Sequence, residues 1–75
     1  MTPKTAVNKL GGIGGLTALS GIPRSTIHSW VTGARGVLAP ARLCLSIMLV
    51  LKREEILEEI LEKAKEIDIE VTHGP

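Results

Sequence analysis

Apolar residues recur at helical spacing in three short segments of the first 33 residues, and turn-forming residues separate the segments. A Thr-Pro pair precedes the first segment, where Thr can cap free amides and Pro loses no hydrogen bond. A Gly-Gly pair separates the first segment from the second, and Gly followed by Pro separates the second from the third. The pattern predicts helices near residues 3–10, 13–20 and 23–32.

Each predicted helix has one apolar face, which we expect to form the core. Trp30 continues the apolar stripe of the third helix, so we interpret it as a core residue rather than a platform for base stacking. The inward faces consist of Ala6, Val7 and Leu10, of Ile13, Leu16 and Leu19, and of Ile27, Trp30 and Val31.

A longer helical stretch runs from Ala39-Pro40 to about Lys65, either as one helix or as two with a break near residues 52–54. Its first part is apolar almost all round, and its second part is amphipathic with a Glu-rich face. This apolar surface exceeds what a 75-residue monomer needs to cover, so we expect a dimer interface; an outer helix with a solvated back is the alternative. The expected interface residues are Ile47, Val50, Leu57, Ile60, Leu61, Ile67, Ile69 and Val71.

Apolar and polar residues alternate strictly from Glu66 to Val71, which is typical of a half-buried strand. Because no other strand is predicted, a strand at residues 66–72 would pair with the same segment of a second subunit. A frayed helix end is the alternative.

Composition favours a mainly α fold in one compact domain. Phe and Tyr are absent and Trp30 is the only aromatic residue, so aliphatic residues and Met must form the core. Such residues suit packed helices more than a small sheet. A domain of 75 residues buries only about 60% of its unfolded surface, so help from a second subunit is expected.

The net charge of +1 is divided unevenly along the chain. Seven basic residues and no acidic residue lie between Met1 and Arg53, whereas eight acidic and two basic residues lie between Glu54 and Pro75. A polyanion is attracted to the first part and repelled by the second, because each phosphate contact needs a cation.

The single cysteine, Cys44, allows no intrachain disulfide and no cysteine metal cluster. Its apolar neighbours favour a core position over a reactive thiol or an intersubunit disulfide. No signal-like leader opens the chain, and the apolar run at residues 43–51 is far shorter than the ~20 residues that span a bilayer. We therefore expect a cytoplasmic protein with no membrane partner.

Residues 11–30 resemble the helix-turn-helix unit of phage Cro and related small repressors. The matching positions are Gly11-Gly12, Leu16, Thr17, Gly21-Ile22, Ile27 and Trp30. The resemblance covers about the first 45 residues and implies a helix-turn-helix DNA-binding region at residues 1–45. Residues 46–75 would then form a helical dimerisation region, since Cro-type proteins can dimerise through a C-terminal strand.

Three positions depart from the family pattern. Thr17 stands where Ala is usual between the two helices, Ser20 stands where Leu is usual, and Ile13 replaces a Gln that commonly contacts phosphate. The first two departures affect the packing of the helices, and the third removes one expected DNA contact.

We expect the helix at residues 23–32 to enter the major groove, which is about 12 Å wide and admits one helix. Arg24 can donate two hydrogen bonds to guanine and lies one turn from His28; a surface His28 without a DNA contact is the alternative. The expected base contacts come from Arg24, Ser25, His28, Ser29 and Thr32. The expected phosphate contacts come from Lys4, Lys9, Gly12, Gly14, Thr26, Arg35 and Arg42.

The sequence thus predicts a sequence-specific regulator of transcription, a repressor-like homodimer that binds double-stranded DNA without catalysis. No paired carboxylates, nucleophile with its base, or metal cluster indicates an enzyme, and we expect no cofactor, metal or small-molecule ligand. The alternative function is a helical protein-interaction module, such as an adaptor or antitoxin, that uses the acidic amphipathic tail.

Overall fold

The computed structural model describes residues 1–67, 69 and 70, and this part of the chain forms helices and no strand. The prediction of a mainly α protein is therefore confirmed. The helices are α1 (Pro3–Lys9), α2 (Gly12–Ser20), α3 (Arg24–Thr32), α4 (Ala39–Arg53) and α5 (Leu57–Lys65).

The ends of the first three helices follow the predicted turn chemistry. Oγ1 of Thr2 accepts a hydrogen bond from the amide of Thr5 at 3.2 Å and caps α1. Gly21, between α2 and α3, has a φ of 76°, a left-handed conformation that glycine adopts without steric cost. The sequence therefore places both helix starts and helix stops within a residue or two.

The core lies where α1, α2 and α3 meet one another and α4 packs against α1. Trp30 is 7% exposed, which confirms that it is a core residue. Ile13, Leu19 and Val31 are half-buried at the edge of the core. The buried residues are Ala6, Val7, Leu10, Leu16, Ile27, Trp30, Leu45, Met48 and Leu57.

The long helical stretch is two helices, and the break lies at residues 54–56, slightly beyond the predicted position. The amide of Glu55 donates to the carbonyl of Lys52, and the amide of Ile56 donates to the carbonyl of Leu51, both at 3.0 Å. This pair of hydrogen bonds is the Schellman arrangement that ends a helix. Glu55 takes the left-handed position with a φ of 61°, where glycine is usual.

The predicted strand at residues 66–72 is not present in the described residues. Glu66 is the C-cap of α5 with right-handed helical backbone angles; its amide donates to the carbonyl of Lys63 at 3.2 Å, and the amide of Ile67 donates to the carbonyl of Ala64 at 3.0 Å. These two amides bond to carbonyls in the last turn of α5, so the start of the alternating segment closes a helix and does not form a strand. Asp68, Val71 and residue 72 of that prediction lie outside the described residues.

Cys44 is exposed, so its predicted core position is wrong. A helix that is apolar almost all round does not reveal from its sequence which face is inward. Leu45 and Met48 occupy the inward face of α4, and Cys44, one turn before Met48, lies at the exposed border of that face. The same helix runs through residues 45 and 46, so the two predicted regions of the chain share one element.

Within the described part of the chain, no helix is both long enough and apolar enough to cross a bilayer.

Candidate nucleic-acid interface

A three-residue turn, Gly21 to Pro23, joins α2 to α3. Ser20 stabilises this turn, since its Oγ donates to the carbonyl of Leu16 at 2.7 Å and accepts from the amide of Ile22 at 3.1 Å. The hydroxyl therefore satisfies one backbone group of α2 and one of the turn. The sequence pattern marked Ser20 only as a departure and missed this role.

Thr17 lies in the middle of α2 with its side-chain oxygen buried. No group among the described residues makes a hydrogen bond with Oγ1 of Thr17. A buried hydroxyl without a partner loses its hydration without compensation, at about 1–3 kcal/mol. The departure from Ala at this position thus introduces a polar atom that the packing of the helices does not use.

The outer face of α3 carries most of the predicted base-contacting residues. Arg24, Ser25, His28 and Thr32 are exposed, and Ser29 is half-buried. The Oγ of Ser29 donates to the carbonyl of Ser25 at 2.9 Å, and Oγ1 of Thr32 donates to the carbonyl of Ser29 at 3.4 Å. These two hydroxyls are engaged with the helix backbone, which leaves Arg24, Ser25 and His28 as the most available groups.

Arg24 begins α3 and reaches back to the first turn of α2. Its Nη1 atom lies 3.5 Å from the position that a Cβ on Gly14 would take. Gly14 is exposed, so the guanidinium group and the open backbone of α2 share one surface. The structure thereby brings together a predicted base contact and a predicted phosphate contact that are ten residues apart in sequence.

The other predicted phosphate contacts come from the helices α1 to α4 and from the loop after α3. Arg35 follows α3 in a loop whose position is fixed by a hydrogen bond from its own amide to the carbonyl of Ser29 at 3.2 Å. Gly12 and Thr26 are half-buried, which limits them to backbone or edge contacts. The exposed members of the set are Lys4, Lys9, Gly14, Arg35 and Arg42.

The cations of the described residues fall into two groups, those that pair with a carboxylate and those that do not. Within residues 1–67, 69 and 70, the ion pairs are Arg53 with Glu54, Lys63 with Glu59 and Lys65 with Glu62, at 3.6, 3.5 and 3.2 Å. All three lie on α5 or at its junction with α4. In the same part of the chain, Lys4, Lys9, Arg24, Arg35 and Arg42 have no carboxylate partner, so their charges face solvent.

The predicted dimer residues fall into different environments. Ile47 and Val50 are 50 and 46% exposed on α4, and Ile60 and Leu61 are half-buried on α5. Leu57 is 7% exposed and belongs to the core of the single chain, so its side chain is not available to a partner and its assignment is corrected.

The last three residues of that set follow α5 in the sequence. Ile67 and Ile69 are exposed, and Val71 lies outside the described residues.

Two features of α4 were missed in the sequence. Leu43, which is 62% exposed, belongs to the same outer face as Ile47 and Val50, and the exposed Cys44 lies at the border of that face. At the end of α4, Nζ of Lys52 donates to the carbonyl of Lys9 and ties α4 to the end of α1. The spacing of residues 40, 43, 47 and 50 is the sequence signal that could have revealed the outer face.

Comparisons with protein-family models, with curated proteins and with solved structures give no match. Support for a function therefore comes from the chain's own residues.

Proposed function

We propose that the protein is a sequence-specific regulator that binds double-stranded DNA as a homodimer, with α3 in the major groove. The observation that carries the proposal is the exposed Arg24, which begins α3 beside Gly14 and has no carboxylate partner among the described residues. In this proposal α2, the turn and α3 form a helix-turn-helix unit of the Cro type, and the protein acts in the cytoplasm as a repressor by occupying its site.

Base recognition would depend chiefly on the first two turns of α3. Residues near the N-terminus of a recognition helix reach base edges, and an arginine there can donate two hydrogen bonds to guanine. His28 lies one turn after Arg24 on the same face, so both can contact neighbouring base pairs. Each good contact of the bidentate kind contributes about 1–3 kcal/mol of discrimination, which gives Arg24 the larger share of specificity.

Phosphate contacts would come from the cations that have no carboxylate partner within residues 1–67, 69 and 70. These cations lie on α1, α3, the loop after α3, and the first half of α4. Of the eight acidic residues, two lie in the turn before α5, three lie on α5 and three follow it in the sequence, and α5 packs on α4. These cations therefore lie on different elements from the Glu-rich helix α5. This separation favours attraction of DNA by the cations over its repulsion by the carboxylates.

A titration at two salt concentrations tests the proposal. A fluorescent duplex should bind the full chain, and the affinity should fall at least ten-fold between about 50 and 200 mM salt because counterions are released. Arg24→Ala should weaken binding at least ten-fold at the lower salt concentration. Arg53→Ala removes the same charge at the α4–α5 junction and should change the affinity by less than two-fold.

Two outcomes would count against DNA binding. One is the absence of binding to any duplex at low salt, which would favour a protein-interaction module. The other is an equal loss of affinity in the Arg24→Ala and Arg53→Ala variants, which would show that only net charge matters.

A further inference from the structure

A cleft lies between the start of α1 and the first half of α4, and we call it the α1–α4 cleft. Its volume is about 430 Å³, within the range of about 300–1,000 Å³ that is usual for pockets that hold small molecules. Ala6 and Leu45 line the cleft and are buried, so they form its floor. Pro3 and Val37 extend the apolar lining.

Arg42 is the charged residue that lines this cleft. It is exposed and has no carboxylate partner in the part of the chain that the structure describes. The hydroxyls that line the cleft are engaged with the backbone: Oγ of Ser46 donates to the carbonyl of Arg42 at 2.8 Å, and Oγ1 of Thr2 accepts from the amide of Thr5 at 3.2 Å. Among the lining side chains, the guanidinium group is therefore the polar group that is free to bind a ligand.

The charge around the α1–α4 cleft differs from the charge beside α5. Two of the clefts beside α5 are lined by two and by three glutamates. By contrast, no acidic residue precedes Glu54 in the sequence, and Lys4, next to Pro3, adds a second positive charge on α1. An anion is therefore attracted to the α1–α4 cleft and repelled by the clefts beside α5.

The lining of the cleft indicates the class of anion. A guanidinium group binds a carboxylate with two parallel hydrogen bonds, and an apolar floor favours burial of a hydrocarbon chain. We propose that the α1–α4 cleft binds a small organic acid, whose carboxylate pairs with Arg42 and whose hydrocarbon chain lies on Ala6 and Leu45. The sequence predicted no small-molecule ligand, because the cleft forms only when α1 packs on α4.

The bound acid would regulate the binding of DNA. Arg42 is one of the expected phosphate contacts, and a carboxylate paired with it offsets the positive charge that a phosphate contact needs. The acid would therefore release the protein from its site on DNA. This regulatory role rests on the proposed function, whereas the binding of the acid does not.

Amide chemical shifts of the isotope-labelled full chain, without DNA, test the proposal with sodium hexanoate as the probe. We expect saturable shifts at Ala6, Val37 and Leu45. Hexanol has the same chain without the charge and acetate has the charge without the chain, so each should bind at least ten-fold more weakly than hexanoate. Equal affinities for hexanoate and hexanol, or the absence of saturable shifts at these three amides, would overturn the proposal.

Ser46→Glu tests the role of the guanidinium group without disturbing the core, because Ser46 is exposed, lines the cleft and lies one turn after Arg42. The new carboxylate should pair with Arg42 and exclude the ligand. Hexanoate should bind Ser46→Glu at least ten-fold more weakly than Ser46→Gln, which has nearly the same shape without the charge. Similar affinities for the two variants would mean that the carboxylate of the ligand does not meet Arg42.

Arg42→Gln should likewise lower the affinity for hexanoate at least ten-fold. Arg53→Gln is the matched control, since Arg53 ends the same helix and does not line the cleft, and it should change the affinity by less than two-fold. An equal loss in the two variants would show that only net charge attracts the acid.

A duplex titration separates the site from its regulatory role. At an ionic strength matched with acetate, saturating hexanoate should weaken duplex binding by the wild-type chain about as much as Arg42→Gln does, and should not change duplex binding by Arg42→Gln. Hexanoate that occupies the cleft without changing the affinity for the duplex would overturn the regulatory role. If hexanoate binds and no duplex does, the proposed function fails and the ligand site stands; if a duplex binds and hexanoate does not, the ligand site alone fails.

Discussion

The guanidinium group of Arg24 and the backbone of Gly14 form one continuous surface, with Nη1 of Arg24 3.5 Å from the site of a Gly14 Cβ. A distance of 3.5 Å is an ordinary van der Waals contact, so a methyl group fits there and a longer side chain meets the guanidinium. A carboxylate introduced at position 14 would therefore pair with Arg24 and offset its positive charge, with Arg24 itself unchanged.

Substitution of Gly14 by Glu should place a carboxylate beside Arg24 and a negative charge where phosphate is expected. We expect the affinity for duplex DNA to fall at least ten-fold, with the helical content retained. Gly14→Gln has nearly the same shape without the charge and is the control; it should bind clearly more tightly than Gly14→Glu. Equal affinities of the two variants in a fluorescence titration would show that Arg24 and Gly14 do not face the DNA together.

Thr17→Val should stabilise the fold. Valine keeps the shape of threonine and removes the buried hydroxyl that has no partner in the described residues. We expect a gain of about 1 kcal/mol, which raises the Tm of a domain of this size by about 4–8 °C. Thr17→Ser keeps the hydroxyl, loses a methyl group and should lower the Tm. Thermal unfolding at one fixed protein concentration measures both, and a lower Tm for Thr17→Val would mean that the hydroxyl has a partner.

Glu55→Gly should also stabilise the fold. The φ of 61° at Glu55 costs a residue with a side chain about 1 kcal/mol, and glycine avoids that cost. Glu54→Gly removes the same charge from the neighbouring residue, whose φ is −81°, and should leave the stability unchanged or lower. Urea unfolding of the two variants compares them, and a more stable Glu54→Gly than Glu55→Gly would contradict the left-handed turn.

The helices of the first 33 residues could be predicted because each is bounded by glycine or proline and has a single apolar stripe. The orientation of α4 could not, because apolar residues on every side leave the choice between Cys44 and Leu45 to tertiary packing. The break at Glu55 lacks glycine, so only its approximate place was predicted.

The candidate interface could be predicted in part. Part of the exposed face of α3 follows from the positions of Ile27 and Trp30, whose burial turns Ser25 and Thr32 outward. Arg24 lies three residues before Ile27, on the same side of the helix, so its exposure at the start of α3 does not follow from this pattern. The contact between Arg24 and Gly14 depends on how α2 and α3 cross and has no sequence signal. The role of Ser20 likewise becomes visible only when the carbonyl of Leu16 and the amide of Ile22 are in place.

Selection of bound duplexes from a random pool, with the wild-type chain and with Arg24→Ala in parallel, tests the central claim most directly. The wild-type chain should enrich two related half-sites about one helical turn apart, and Arg24→Ala should lose the preference for one base pair in each half-site. Identical preferences for the two proteins, or no enrichment by the wild-type chain, would contradict the placement of α3 in the major groove.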